Sequence, residues 1–323
     1  MKALVWHGGD RLELEELPEP ELRDDQVVLD VGLTGICGSD LHPYRGHAGP
    51  RVPPLVLGHE AVGRVDGRDG RFVLNPLVAC GKCRSCRRGE PQLCEQRGLV
   101  GMDRQGVFAE RVAVDPSALV PVPDSVPDEA AVLTEPLATA ISALRLEGVD
   151  SGSTLAVIGG GPIGLLTVYV ATEAGVNVLA AEPVEHRREL ADRLGAAETV
   201  LDPGELEKGS ADAVVDAVGI EATWRAGIDI VRPGGSVCIV GLGQVEGAMP
   251  VADLVRRGIT VRGHFAYSPK DFEAALTLLA SSPPPLDGWV SVVPFDQGAE
   301  GFRRLVEEPE RYTKVLVSIG GVA

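Results

Sequence analysis

"TLAVIGGGPIGLLTVYVATEAG", residues 154–175, joins an apolar β-like run, Leu155–Ile158, to a helix-compatible run, Ile163–Ala174. Between them Gly159, Gly161 and Gly164 form G-x-G-x-x-G. Glycines at this spacing make a tight turn, admit a pyrophosphate and let a helix pack against a strand. Pro162 and Ile163 open the helix, whose first amides would meet the phosphates. Ser151–Thr172 carries no charge and approaches the length of a membrane span. The Gly-Gly-Gly-Pro break in its middle and the β-rich half before it argue against that rival.

Reading onward, "NVLAAEP" (177–183) ends at Glu182, about twenty residues past the first glycine, where an acidic side chain accepts ribose hydroxyl protons. Arg187 and Arg188 follow, either of which would pair with a 2′-phosphate instead. Strand-like runs recur at 198–201, 213–219, 235–241 and 259–265, with helix-compatible runs such as Glu185–Leu194 and Glu221–Ile230 between most of them. This alternation predicts an α/β fold with a doubly wound parallel sheet.

The chain has 323 residues, a length that suits two domains. A hydrophobic fraction of 44% is that of a globular protein, and a net charge of -17 excludes broad binding to nucleic acid or anionic membranes. The opening "MKALVWHGGDRLELEELPEP" turns acidic before any apolar leader segment forms, so a cytoplasmic chain is expected. The acidic run at 13–25 reads as a solvated face.

Four of the six cysteines crowd into "NPLVACGKCRSCRRGEPQLCEQ" (75–96). Cys80, Cys83, Cys86 and Cys94 are spaced C-x2-C-x2-C-x7-C. Neighbouring thiols in such a run compete for disulfide partners, whereas one tetrahedral zinc uses all four. Lys82, Arg84, Arg87 and Arg88 would offset the charge of a four-thiolate site. An iron–sulfur cluster and a bare reduced loop are the alternatives; the absent Cys-Pro partner and the acidic neighbour Glu95 disfavour the cluster. Four cysteines close the coordination sphere, so catalysis is expected elsewhere.

Two upstream stretches offer it. "GICGSDLH" (35–42) holds Cys37, Ser39, Asp40 and His42, and "LGHE" (57–60) holds His59 and Glu60. Thiolate, imidazole and carboxylate are all zinc ligands, and three protein ligands leave a position for substrate. Adjacent residues on a strand face opposite ways, so His59 and Glu60 need a turn or a helix start to converge, and Gly58 permits one. His7, His47, His186 and His264 lack such surroundings and read as surface or packing residues, and Cys238 as a buried apolar side chain.

"GICGSDLH", "LGHEAVG", the four-cysteine loop, "EPLATA" (135–140) and "VIGGGPIG" (157–164), in this order, resemble the zinc-dependent medium-chain dehydrogenases/reductases of the alcohol, polyol and threonine dehydrogenase type. The resemblance spans nearly the whole chain. It implies a GroES-like β-rich catalytic domain in two segments, 1–143 and 270–323, around a Rossmann domain at 144–269. It implies a structural zinc in the cysteine loop and a catalytic zinc on Cys37 and His59, with Glu60 or Glu135 completing the set. Ser39 and His42 fall where the family moves a proton from substrate to solvent, and Asp40 where an acid steadies a ligand imidazole. "KVLVSIGG" (314–321) resembles the closing strand of the catalytic domain, and the stretch 61–76 is shorter than is usual.

The implied activity is hydride transfer from a secondary alcohol (a polyol, sugar or related small polar molecule, with threonine and 2,3-butanediol as alternatives) to NAD, with NADP as the alternative nucleotide. A homodimer or homotetramer is the implied assembly. A zinc-free reductase of the same superfamily and a non-catalytic nucleotide sensor are the rival readings; the ligand set disfavours the first and the proton relay the second.

Overall fold

A computed structural model describes every residue except Asp24, which belongs to the acidic run, Ala48 and residues 321–323. The chain divides into two compact units, Met1–Glu135 with Ser268–Ala323, and Pro136–Tyr267. The helix Thr134–Glu147 runs through the first boundary, so the expected limit near 143 falls inside it.

The second unit holds six parallel strands: β1 (Thr154–Ile158), β2 (Asn177–Ala181), β3 (Glu198–Val200), β4 (Ala211–Asp216), β5 (Val231–Ile239) and β6 (Thr260–Gly263). Their spatial order is β3-β2-β1-β4-β5-β6, the Rossmann order, whose reversal beside β1 opens a crevice at the strand C-termini. β1 is buried along Leu155–Ile158, and the helix Pro162–Glu173 buries Gly164–Ala171, so the uncharged run is a sheet core and its covering helix. Among the described residues no helix is long and apolar enough to cross a membrane.

The first unit is built mainly on antiparallel pairing, with Val290–Pro294 parallel to Lys314–Ser318 as the exception. Strand Val27–Gly35 lies between Glu60–Val65 and Lys314–Ser318, with Gly35 opposite both Glu60 and Leu316. The returning segment therefore places the strand Lys314–Ser318 beside the one that runs into residues 35–42 and two positions from the one that begins at Glu60. Glu60–Val65 turns back into Arg71–Leu74 over residues 66–70, so the shortened stretch is a hairpin one strand in from the sheet edge, which Leu119–Val122 forms.

Aromatic packing fixes the site-bearing loops. Phe302, fully buried on the helix Gly298–Glu307, meets Tyr44 of the helix Gly38–Tyr44 at 5.6 Å and Phe108 at 5.4 Å between ring centroids. Burying one such side chain contributes roughly 1.5–3 kcal/mol. Phe108 also presses on Gly58, where an added Cβ would stand 2.7 Å from its ring.

Candidate active site

Gly58 adopts φ +91°, a conformation that suits glycine, and the chain turns there before the strand begins at Glu60. That turn brings His59 and Glu60 to one point. Donor atoms of Cys37, His59 and Glu60 all lie within 4.8 Å of one another. Cys37 caps the helix Gly38–Tyr44, and its backbone N–H donates to Asp40 Oδ2 at 3.1 Å.

Asp40 is fully buried beneath the imidazole. Its Oδ1 accepts from Gly58 N–H at 3.3 Å and stands 3.5 Å from His59 Nδ1, a contact of charge more than a formed hydrogen bond. Arg51, 6% exposed, reaches within 3.9 Å of the same oxygen. Burial pushes the Asp40 carboxyl up, but His59 and Arg51 outweigh it and hold the acid below its usual range. Burial pushes the His59 imidazole down, and the charges of Asp40 and Cys37 outweigh that and raise it. With Nδ1 turned to Asp40, Nε2 is left for a ligand, and Ser39 Oγ lies 3.4 Å from it.

His42 is three residues beyond Ser39 on the same short helix and half-buried, so the two share a helix face. Its imidazole is held below the usual value by burial, then by Arg51, Arg45 and His47. It is neutral at pH 7 and able to take a proton.

Glu60 is fully buried. Lys314, 1% exposed, donates through Nζ to Glu60 Oε2 and to the Ile36 carbonyl at 3.0 Å. Glu60 Oε1 has no hydrogen-bond partner among the described residues. A buried carboxylate oxygen without a partner, beside a thiol and an imidazole, fits a zinc ion. Glu135 lies in the first turn of the helix Thr134–Glu147 and outside the 4.8 Å group, although its charge acts on Lys314.

The cysteine loop forms a second donor set. Cys80, Cys83, Cys86 and Cys94 also lie within 4.8 Å of one another. Cys86 Sγ is 3.5 Å from Cys83 Sγ and 4.0 Å from Cys80 Sγ, bracketing the ~3.8 Å that a tetrahedral zinc–sulfur sphere requires. Backbone N–H groups of Cys83 and Cys80 point at Cys80 Sγ and Cys94 Sγ. Amides of Lys82 and Cys83 lower the Cys80 thiol to about 6, whereas burial and then Cys83 raise Cys86 to about 12. The four basic residues around the loop are exposed. A third grouping among the described residues, His7 with Glu13 and Glu15, sits on the first hairpin, where Arg11 pairs with Glu13 at 3.4 Å. Cys238 is buried within β5 and inert, its thiol raised to about 12 by burial and then Glu147.

The glycine turn forms a cradle within the second unit. Gly159 has φ +100°, an added Cβ at Gly164 would stand 1.7 Å from the Gly159 carbonyl oxygen, and Gly161 faces open space where a phosphate would approach. Pro162 and Ile163 begin the helix there. Glu182 follows β2 directly; its Oε2 accepts from Gly160 N–H at 2.5 Å and its Oε1 from Val184 N–H at 2.9 Å. A cavity of ≈ 670 Å³ opens beside it, lined by Gly159, Glu182, Arg187 and Thr223 among others. Arg188 is drawn back onto the carbonyls of Glu182 and Pro183. The cradle fits a dinucleotide.

Arg51, Gly35 and Lys314 were not legible as site residues. Arg51 sits in a Pro-rich loop, and Lys314 looks like any lysine at the start of an apolar strand.

Residues 23–124 match the alcohol dehydrogenase GroES-like domain and residues 162–281 the zinc-binding dehydrogenase domain. The chain is 30% identical over 334 residues to D-xylulose reductase A of Aspergillus oryzae, covering 94% of this chain and 93% of that protein. It is 34% identical to sorbitol dehydrogenase of Halalkalibacterium halodurans, covering 86% and 88%. A zinc-binding dehydrogenase of Sinorhizobium meliloti, solved bound to NADP, superposes with a TM-score of 0.88 at 30% identity, covering 98% and 99%. The chain belongs to the zinc-dependent medium-chain dehydrogenase family. It is an oxidoreductase that uses zinc and NAD(P).

Proposed function

We propose that the enzyme oxidises a secondary hydroxyl of a small polyol or sugar to a ketone, with NAD⁺ as the preferred acceptor. The donor set carries this reading. Cys37 is the single thiol among Cys37, His59 and Glu60, and the other cysteines lie in the closed loop or within β5. A site with one thiolate and a carboxylate resembles polyol-type members more than sites with two cysteines. Carboxylates at the metal also accept hydrogen bonds from neighbouring substrate hydroxyls, which a monoalcohol lacks. The relatives named for xylulose and sorbitol support the same class.

In this reading Cys37, His59 and Glu60 hold the catalytic zinc, with Glu135 beyond them. Zinc supplies a Lewis acid that lowers the pKa of the substrate hydroxyl, and the nicotinamide supplies the hydride acceptor. Ser39 Oγ accepts the hydroxyl proton at the substrate end of a relay, and neutral His42, at its outer end, releases a proton to solvent. Asp40, backed by Arg51, keeps the proton of His59 on Nδ1. Cys80, Cys83, Cys86 and Cys94 hold a second, structural zinc. Glu182, held by two amides, accepts from a ribose 2′-hydroxyl and repels a 2′-phosphate; Arg187 in the same cavity is the opposing element.

The test is a panel of polyols, aldoses, vicinal diols, threonine and primary alcohols at saturating NAD⁺ and NADP⁺. The highest kcat/KM is expected for a polyol or sugar with NAD⁺. A maximum on ethanol or benzyl alcohol overturns the substrate class, and a higher kcat/KM with NADP⁺ overturns the nucleotide preference.

A further inference from the structure

Lys314 is a buried cation that the mechanism above does not use. It comes from the last strand of the chain, 254 residues from Glu60 in sequence, and reaches it across the strand that carries Gly35. Gly35 leaves the path clear: an added Cβ would stand 1.9 Å from Glu60 Oε2 and 3.2 Å from Lys314 Cε. The ammonium takes one carboxylate oxygen and the Ile36 carbonyl, while the other carboxylate oxygen stays open. A buried ammonium without an anion is costly, so Lys314 holds Glu60 whether or not a metal is bound.

The charges make the same point. Lys314 Nζ sits on Glu60 Oε2, and without the lysine that carboxylate has no competing cation beside it.

We propose that Lys314 is a positioning residue for the catalytic metal: by holding one oxygen of Glu60 it divides that carboxylate between ammonium and metal, and so weakens the hold on the ion. This rests on Cys37, His59 and Glu60 being the metal site.

The experiment reads metal exchange. The full-length protein is loaded with Co²⁺, whose single-thiolate charge-transfer band separates the Cys37 site from the four-cysteine loop. Loss of that band to a chelator is then timed. Lys314→Met, and Lys314→Gln as a variant that can still donate to the Ile36 carbonyl, are expected to release cobalt at least about tenfold more slowly than wild type, ~1.4 kcal/mol. Placed in a Glu60→Gln background, the same substitutions should leave the release rate unchanged. Release at the wild-type rate or faster in both lysine variants overturns the proposal, since a lysine that merely supports the fold would loosen the site when lost. Persistence of the slowing in Glu60→Gln overturns it as well. If no band in wild type depends on Cys37, as shown by Cys37→Ser, the metal-site reading fails and the role of Lys314 falls with it.

Discussion

Cys80, Cys83, Cys86 and Cys94 come from one loop, whereas Cys37, His59 and Glu60 come from a helix start, a turn and a strand, with Lys314 reaching in from the other end of the chain. The loop presents four sulfurs of one kind, arranged by its own backbone amides, and leaves no vacancy for a substrate. The second set mixes sulfur, nitrogen and oxygen, lies against buried Asp40, and leaves a Glu60 oxygen without a partner among the described residues. Local assembly suits a part that only has to hold the fold. A part that must bind, release and move protons needs unlike groups at one point, and consecutive residues seldom deliver them.

The sharpest way to break this comparison is to remove one thiol from each set. Cys83→Ser should lower the thermal midpoint and yield of folded protein, because metal binding to such a loop is folding free energy. Cys37→Ser should keep the wild-type midpoint within a few degrees, lose one zinc per chain and lose activity to background. Calorimetry with elemental analysis checks both; two zinc ions per wild-type chain are expected, and one would erase the distinction.

Ser39→Ala should retain both zinc ions and lower kcat by about 10²–10⁴-fold, the range of a general acid–base contribution. Single-turnover kinetics, in which product release plays no part, provides the measurement. Unchanged turnover would take Ser39 out of the proton path.

Asp40→Asn tests whether the open site depends on groups that touch no substrate. Removing an acid that orients a ligand imidazole typically costs 10–100-fold in metal affinity or activity. The loss should appear in chelator competition at the Cys37 site and leave the four-cysteine site unmoved. Equal effects at both would show a general loosening of the unit instead.

The smallest effect concerns His42. Its native imidazole titrates below 6.5, so alcohol oxidation should hold through neutrality and decline as pH falls through that lowered value. The unfolded chain takes up this proton near 6.5 and the native chain only at lower pH. This residue's contribution to stability is therefore complete above about 6.5 and is lost as pH falls below it. His42→Gln should flatten the acidic limb of kcat/KM and lower kcat less than Ser39→Ala does, since water can replace an outer relay member.

Much of the architecture was legible along the chain because it depends on near neighbours. A glycine turn between an apolar strand and a helix is a local decision, as is the spacing of four thiols on one loop. Glu182 could be placed because it ends the next strand after that helix. The convergence of His59 and Glu60 was readable as far as its need for a turn or a helix start, and the structure takes the turn at Gly58. The sequence by itself thus determined the class of fold, the cysteine loop and the candidate donors Cys37, His59 and Glu60. Only the tertiary structure decided what stands behind those donors. Gly35 looked like any strand glycine until sheet register set it opposite Glu60 and beside the last strand. Lys314 became Glu60's partner through that register, which depends on pairing between distant segments, and Arg51 came within reach of Asp40 because a loop was folded into the core. Such contacts leave no period or spacing in a chain, because sheet pairing brings together residues whose separation in sequence is arbitrary.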